Sequence, residues 1–358
     1  MRPRLIHSRR LERWYGAQQL ESMSKSSLGL RHPIPVGAAP GRVWVYDGEF
    51  YGKLTGGGAA SLKDMWWDLL ALLKSQRGGF SSLSNLINEV TVNGTKQTPF
   101  FFQKTGVGAP AAGASQTLWR LAEWPVAGSN AAAAPGGTIF TRTSTGAVRQ
   151  ADAAVGSLHL LNAFALESAA AASVTLLYDY LFGVNINHAT TANSVTGVPT
   201  RYQTAALAPG NFLSGVVTTV LGATAHNITV TYVDQDGNTA EAGTAQAVRV
   251  SSAVNTLPFT QPKWFYLYNA ADTGARNITN IALSAASTGN VDWYIGHPLC
   301  MIPSFGLGFF TTFVDLLNQT FSLERLFDGA CIAYKELYKS ATAASNRMGA
   351  IQMASGAA

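Results

Sequence analysis

The chain has 358 residues, a net charge of +5 and only 13% charged residues, about half the charged fraction of an average soluble domain. That length holds one large domain or two to three smaller ones, and so sparse a charge argues against a broadly basic nucleic-acid binder. No uninterrupted run of about 18 apolar residues occurs, so no membrane span is expected.

Residues 1–60 read as an extended basic arm. Arg2, Arg4, Arg9, Arg10 and Arg13 crowd its start, opposed only by Glu12. Such a cluster either contacts acidic protein or nucleic acid or is a solvated terminus. Outside the arm the chain is close to neutral, so nucleic-acid contact is expected only there. One short helix is expected through Leu5, Leu11 and Trp14. The basic start runs into LERWYGAQQLESMSKSS and not into an apolar core, so no secretory signal is expected. Without secretion, the glycosylation sequons at Asn93, Asn227, Asn277 and Asn318 lose their context. The stretch that follows is dense in Gly and Pro, with one alternating piece at VWVYDGEFYG. It has too little apolar material to build a core alone and would order on a neighbouring surface.

Residues 61–165 are expected to hold a helix and then short strands. SLKDMWWDLLALLKS starts with Ser61 as N-cap and Asp64 three residues on. Leu62, Met65, Trp66, Leu69, Leu72 and Leu73 then form one apolar stripe, widened by Trp67. Strand-like pieces follow at INEVTVNGT, TPFFFQKT, TLWRLAEWPV, GTIFTRTST and SLHLLNAFAL, separated by low-complexity loops.

Residues 166–302 carry the clearest β pattern, with about eight strands at short, even spacing. They lie near SVTLLYDYLFGVN, RYQTAAL, GVVTTVLGATA, HNITVTYVDQ, AQAVRVSSAV, KWFYLYNA, ITNIALSAA and VDWYIGHPLCMI. No amphipathic helix intervenes, which argues against a parallel α/β sheet. The predicted fold is mainly β, a Greek-key or jelly-roll-like β-sandwich with an extended N-terminal arm and a few short helices. Its expected core is Val174, Leu176, Tyr178, Val230, Tyr232, Val248, Val250, Phe265, Leu267, Ile281, Trp293 and Ile295. Residues 303–358 read as a C-terminal extension, with a helix near SLERLFDGACIAYKELYKS and a loose tail unless a neighbour holds it.

The search for chemistry returns no catalytic, cofactor-binding or metal-ligating residue. Asp234, Asp236 and Asn238 begin like a calcium loop, but Thr239 stands where its glycine belongs and Ala245 where its glutamate belongs. Ile228, Val230 and Tyr232 alternate with Thr229, Thr231 and Val233, so DQDGN reads as a hairpin tip. The six histidines show no metal-ligand spacing, and no GxSxG nucleophile motif occurs. Cys300 and Cys331 sit among apolar residues and read as small buried hydrophobes. Aromatics remain: Trp66-Trp67, Phe100 to Phe102, Trp119, Trp124, Trp264 to Tyr266, and Phe309-Phe310. Without an interleaved basic stripe they read as core or inter-subunit anchors. The residues expected at interfaces are Arg2, Arg4, Arg9, Arg10, Arg13, Trp14, Trp66, Trp67, Phe309 and Phe310.

Several phrases resemble uncharacterised virion structural proteins of tailed bacteriophages. They are LLYDYLFGVN, LGATAHNITVTYVDQDGNTA, AADTGARNITNIALS, GHPLCMIP and LLNQTFSLERLFDGACIAYKEL, all in the C-terminal half. The resemblance implies a virion protein present in many copies, and it carries no functional residues with it. The expected role is a non-enzymatic capsid component, either a shell subunit or a cement or decoration protein. Its expected partners are copies of itself, as a trimer or larger assembly, and other virion proteins, with no cofactor. A tail or baseplate protein and a carbohydrate-binding β-sandwich are the competing expectations.

Overall fold

The computed structural model describes residues 41–46, 49–54, 88–89, 99–107, 115–148, 150–151, 157–167, 173–259, 265–304, 312–315, 325–338 and 345–356. The expected helices at 5–14 and 61–75, and all ten expected interface residues, lie outside them. The chain divides into two compact units, Met1–Leu83 and Ser84–Ala358. In the first, β1 (Gly41–Tyr46) and β2 (Glu49–Leu54) pair antiparallel. This is the alternating piece of the arm.

In the second unit the strands in chain order are β3 (Phe100–Val107), β4 (Ser115–Thr117), β5 (Glu123–Trp124), β6 (Thr138–Ile139), β7 (Ser157–Glu167) and β8 (Ser173–Asn187). Next come β9 (Ala192–Ser194), β10 (Phe212–Thr219), β11 (Asn227–Asp234), β12 (Glu241–Ala242), β13 (Gln246–Ala247) and β14 (Ala275–Leu283). The last are β15 (Asn290–Ser304), β16 (Thr312–Asp315), β17 (Arg325–Leu326), β18 (Ile332–Tyr338) and β19 (Ser345–Gly356). The fold is mainly β and its paired strands are antiparallel. A central sheet runs β10-β15-β8-β18-β4, a second β12-β11-β14-β9, and a third β16-β7-β19-β3-β5.

β8 and β15 are long enough to serve two cores. Leu181, Phe182, Val184 and Ile186 of β8, with Val291, Trp293 and Ile295 of β15, pack on Ile228, Val230, Tyr232, Ile278 and Ile281 of the second sheet. Further along, Leu177 of β8 and Leu299, Cys300 and Ile302 of β15 pack on Phe102, Leu158, Leu160, Ile351 and Met353 of the third. The β8–β15 register shifts between Ile295 and Gly296 and again between Pro298 and Cys300. Each bulge switches which alternate residues point to a given side, so one face of the central sheet stays apolar under both neighbours. Its other face buries Leu176, Tyr178, Tyr180 and Tyr294 beneath Trp119, Phe140 and Phe212.

The sandwich expected from the β pattern is present, with corrections of detail. The described residues of the stretch expected as a helix at 322–340 form β17 and β18, because Gly329 has φ +80 and residues 331–337 are buried throughout. A strand covered on both faces loses its alternation and mimics a buried helix. The tail is held, since β19 lies between β7 and β3. Strands from the three segments expected at 61–165, 166–302 and 303–358 therefore share sheets. Finally, RYQTAAL folds as turns and Asn88–Glu89 are helical. Val250 and Leu267 are exposed because they lie beyond the short strand β13 and in an irregular stretch.

DQDGN is a hairpin tip joining β11 to β12, with Gly237 at φ +95. Asp234 Oδ1 accepts hydrogen bonds from the backbone N–H groups of Asp236, Gly237 and Asn238 at 2.9, 2.7 and 2.8 Å. Burial works to raise the Asp234 pKa, but the bonds from Asn238, Gly237 and Asp236 outweigh it and hold it below its ordinary value. The carboxylate is committed to donors and forms the turn's cap.

Candidate interaction face

The third sheet has an inner face on the core and an outer face turned away from it. Along β3, Phe102 and Lys104 are buried while Phe101 and Gln103 are exposed, the period of two that a half-covered strand requires. Residues paired across antiparallel strands share a face. One outer row is therefore Phe101, Ala350 and Phe164 across β3, β19 and β7. The next is Gln103, Met348 and Leu166 across β3, β19 and β7, with Trp124 of β5 exposed at the sheet edge beyond Gln103. Phe101 is 61% exposed, Trp124 58% and Met348 46%. The apolar area ends at a polar row, where Asn162 donates to Gln352 Oε1 at 3.0 Å. No side chain in these rows is ionisable.

The face is fixed from below. Lys104 Nζ, fully buried, donates to the carbonyl of Leu121 at 3.0 Å and to that of Pro125. These bonds hold the turn carrying Trp124, whose ring stacks on Phe100 at 6.1 Å. Burial pulls the Lys104 pKa down to about 8, against the pull of Glu123. On β19, Arg347 Nε lies 3.3 Å from Glu336 Oε2, and Thr175 Oγ1 donates to the same oxygen at 2.9 Å. That contact ties the third sheet to the central one.

Asp179, Arg201 and Lys335, also buried, are held by internal partners. Asp179 and Arg201 form two bonds, Nε to Oδ2 at 2.8 Å and Nη2 to Oδ1 at 2.7 Å. Asp179 Oδ1 also accepts from the Cys331 N–H at 2.8 Å, and Arg201 Nη2 donates to the Phe140 carbonyl at 2.8 Å. Burial opposes the Arg201 charge, yet the Asp179 bonds outweigh it and raise the guanidinium pKa. Lys335 Nζ donates to Ser214 Oγ at 2.6 Å and lies 4.7 Å from the centre of the Phe265 ring. Burial holds its pKa well below the ordinary value. These groups pin β8, β10 and β18 to adjacent loops. Cys300 and Cys331 are buried free thiols, and burial pushes Cys300 up to about 12. Among the described residues, no three His, Cys, Asp or Glu side chains gather where they could hold a metal ion, and no helix is long and apolar enough to cross a membrane.

The aromatic runs noted in the sequence divide here. Phe102 and Trp119 are core, whereas Phe101 lies on the exposed face and Trp124 is exposed at the sheet edge. Met348 gave no sequence signal; its role appears only once β19 is placed beside β3.

No protein-family model and no curated protein sequence matches the chain. Among solved structures, it is similar to the VP2 subviral particle of infectious bursal disease virus, at 10% identity over 76% of this chain and 86% of that one, with a TM-score of 0.15. A structure of the Gt strain of the same virus aligns at 10% identity over 77% of this chain and 87% of that one, with a TM-score of 0.14. Scores this low carry neither fold nor role across.

Proposed function

We propose that the protein is a structural component of a virus particle, and specifically a capsid component of a tailed bacteriophage, as shell subunit or as cement protein. It works by contact with copies of itself and with other virion proteins, not by catalysis. The observation that carries this reading is the outer face of the third sheet: two rows that are apolar but for Gln103, uncharged and braced from below. An uncharged face meets a second copy of itself without like-charge repulsion, and covering a large exposed aromatic contributes about 1.5–3 kcal/mol. The C-terminal phrases that resemble virion proteins supply the phage assignment; they fall mostly on β8, β11, β14, β15 and β18.

Sedimentation velocity over a concentration series tests the reading. The full chain is expected to form trimers or larger assemblies, and the double variant Phe101→Ser, Met348→Ser to remain monomeric with an unchanged far-UV spectrum. A wild-type chain that stays monomeric at every concentration sinks it. One observation favours a second reading: exposed Trp124 stands beside exposed Glu123, a stacking platform next to a hydrogen-bond acceptor, as sugar-binding surfaces use. A glycan array distinguishes the two, since sugar binding lost in Trp124→Ala would favour the carbohydrate reading.

A further inference from the structure

At one end of the second unit three loops meet: 187–191 after β8, 220–226 before β11, and 284–289 between β14 and β15. Backbone bonds tie the third loop to the other two. His188 N donates to Gly289 O at 3.0 Å, Ser287 N to His188 O at 2.8 Å, and Gly222 N to Thr288 O at 3.0 Å. The first two loops are joined by side chains, with His188 Nδ1 3.0 Å from His226 Nε2. His226 Nδ1 in turn lies 2.9 Å from the Thr224 carbonyl. An open depression of about 580 Å³ is lined by residues of all three loops, including Ala189, Gly222, Thr224 and Ser287.

The protons in this chain are fixed by elimination. A carbonyl only accepts, so His226 Nδ1 carries a hydrogen. In the neutral ring Nε2 is then bare and accepts from His188 Nδ1–H. His188 Nε2 is left as a bare nitrogen, fully buried and without a hydrogen-bond partner. A single added proton, whichever ring carries the charge, leaves a hydrogen on His188 Nε2, where no acceptor waits, and a charge inside the buried pair. A second proton sets two cations in contact inside the protein. Each charged form is costly in the closed arrangement.

We propose that His188 and His226 form an acid-sensitive latch that holds the three loops together at neutral pH and lets them part, widening the depression, as protons enter the pair. Burial, with His226 adding to it, lowers the His188 pKa to about 4. The sign follows: a base whose folded pKa lies below its unfolded value binds fewer protons when folded. The latch is fully closed above about pH 6.5 and loses its hold as pH falls toward 4. The segments 187–191, 220–227, 246–252 and 284–290 that pack on the pair carry one other ionisable side chain, Arg249, which is exposed.

Two measurements on the full chain test the latch. Nitrogen-15 NMR of the imidazoles at pH 8 is expected to show both rings with the hydrogen on Nδ1, the rarer form for free histidine. A hydrogen on His188 Nε2 overturns the proposal. Hydrogen exchange, corrected for intrinsic rates, is expected to speed up at least tenfold over 186–191, 220–226 and 284–290 between pH 7.5 and 4.5, while β8 and β15 stay protected. In the double variant His188→Gln, His226→Gln, which leaves no titrating ring in the pair, that acceleration is expected to disappear. Loops that stay protected in the wild type at pH 4.5, or an equal acceleration in the double variant, overturn the latch. Because the NMR and wild-type exchange results stand alone, a variant that fails to fold does not rescue it.

Discussion

The central and third sheets are built from similar strands and finished differently. β8 is buried over nearly all its length and touches apolar neighbours on both sides. β3 buries Phe102 and leaves Phe101, one residue away, more than half exposed. A sheet covered on both faces has used its apolar surface for folding. A sheet covered on one face, whose other face is still apolar, has surface left over for a partner. The same residue type therefore does two jobs within a single tripeptide, Phe100 to Phe102. Truncation on the covered face should cost stability, and on the open face association.

The largest expected effects are on the covered side. Phe102→Ala removes a ring that packs on Tyr334 at 4.3 Å between centres and should cost about 4 kcal/mol in urea unfolding. Asp179→Asn leaves the Arg201 guanidinium buried without its counter-charge and should cost about 3–5 kcal/mol. A loss under about 1 kcal/mol in either variant would mean that the covered cores are not where the fold's stability lies.

Acid should act on the covered interior next. Burial lowers both His188 and His297 to about 4. Each contributes stability that is present above about pH 6.5 and lost as pH falls toward 4, roughly 3 kcal/mol apiece. Asp292 runs the other way. Burial raises it to about 6, against its bonds from Asn185 and Ala131, so acid relieves its cost by about 3 kcal/mol between pH 6 and 4. The net expectation is a fall of about 3 kcal/mol from pH 7 to pH 4. Unfolding curves that coincide at the two pH values would contradict it.

How much of this was legible follows from the same contrast. β11 alternates between buried and half-exposed residues, and its pattern is plain in NITVTYVD, as is the turn at DQDGN. β18 carries a helical signal in its sequence because both its faces are covered and its apolar residues recur at helical spacing. β19 was expected to be loose because its residues are small. They are small because the strand is wedged: a Cβ on Gly349 would sit 2.2 Å from the Phe164 carbonyl oxygen and 2.5 Å from the Phe102 ring. Neither constraint has a local signature. The aromatic triplet flagged an anchor, but the direction of each ring needed the strand's register. The His188–His226 pair spans 38 residues, and nothing around either histidine marks the other.

Gly349 gives the next, smaller effect. Gly349→Ala must push β7 or Phe102 aside, and overpacking of this kind costs about 1–3 kcal/mol. Met348, one residue before it, faces the open side with 46% of its surface exposed, so Met348→Ala is the control and should stay within about 0.5 kcal/mol. Equal losses in the two variants would dissolve the distinction between the faces of β19.

The smallest effect on stability, and the sharpest test of the comparison, belongs to Phe101→Ala. With 61% of its surface exposed, Phe101 has little left to lose on unfolding, and its removal should shift monomer stability by no more than about 0.5 kcal/mol. In an assembly the same ring would be covered, and its loss would weaken each contact by about 1.5–3 kcal/mol, or 10- to 150-fold in the dissociation constant. Phe102→Ala predicts the reverse, a large loss of stability and weaker association only as far as the fold fails. Measuring both quantities for both variants gives four numbers whose pattern is fixed in advance. If Phe101→Ala lowers stability as much as Phe102→Ala and leaves association unchanged, the outer face is not a docking surface.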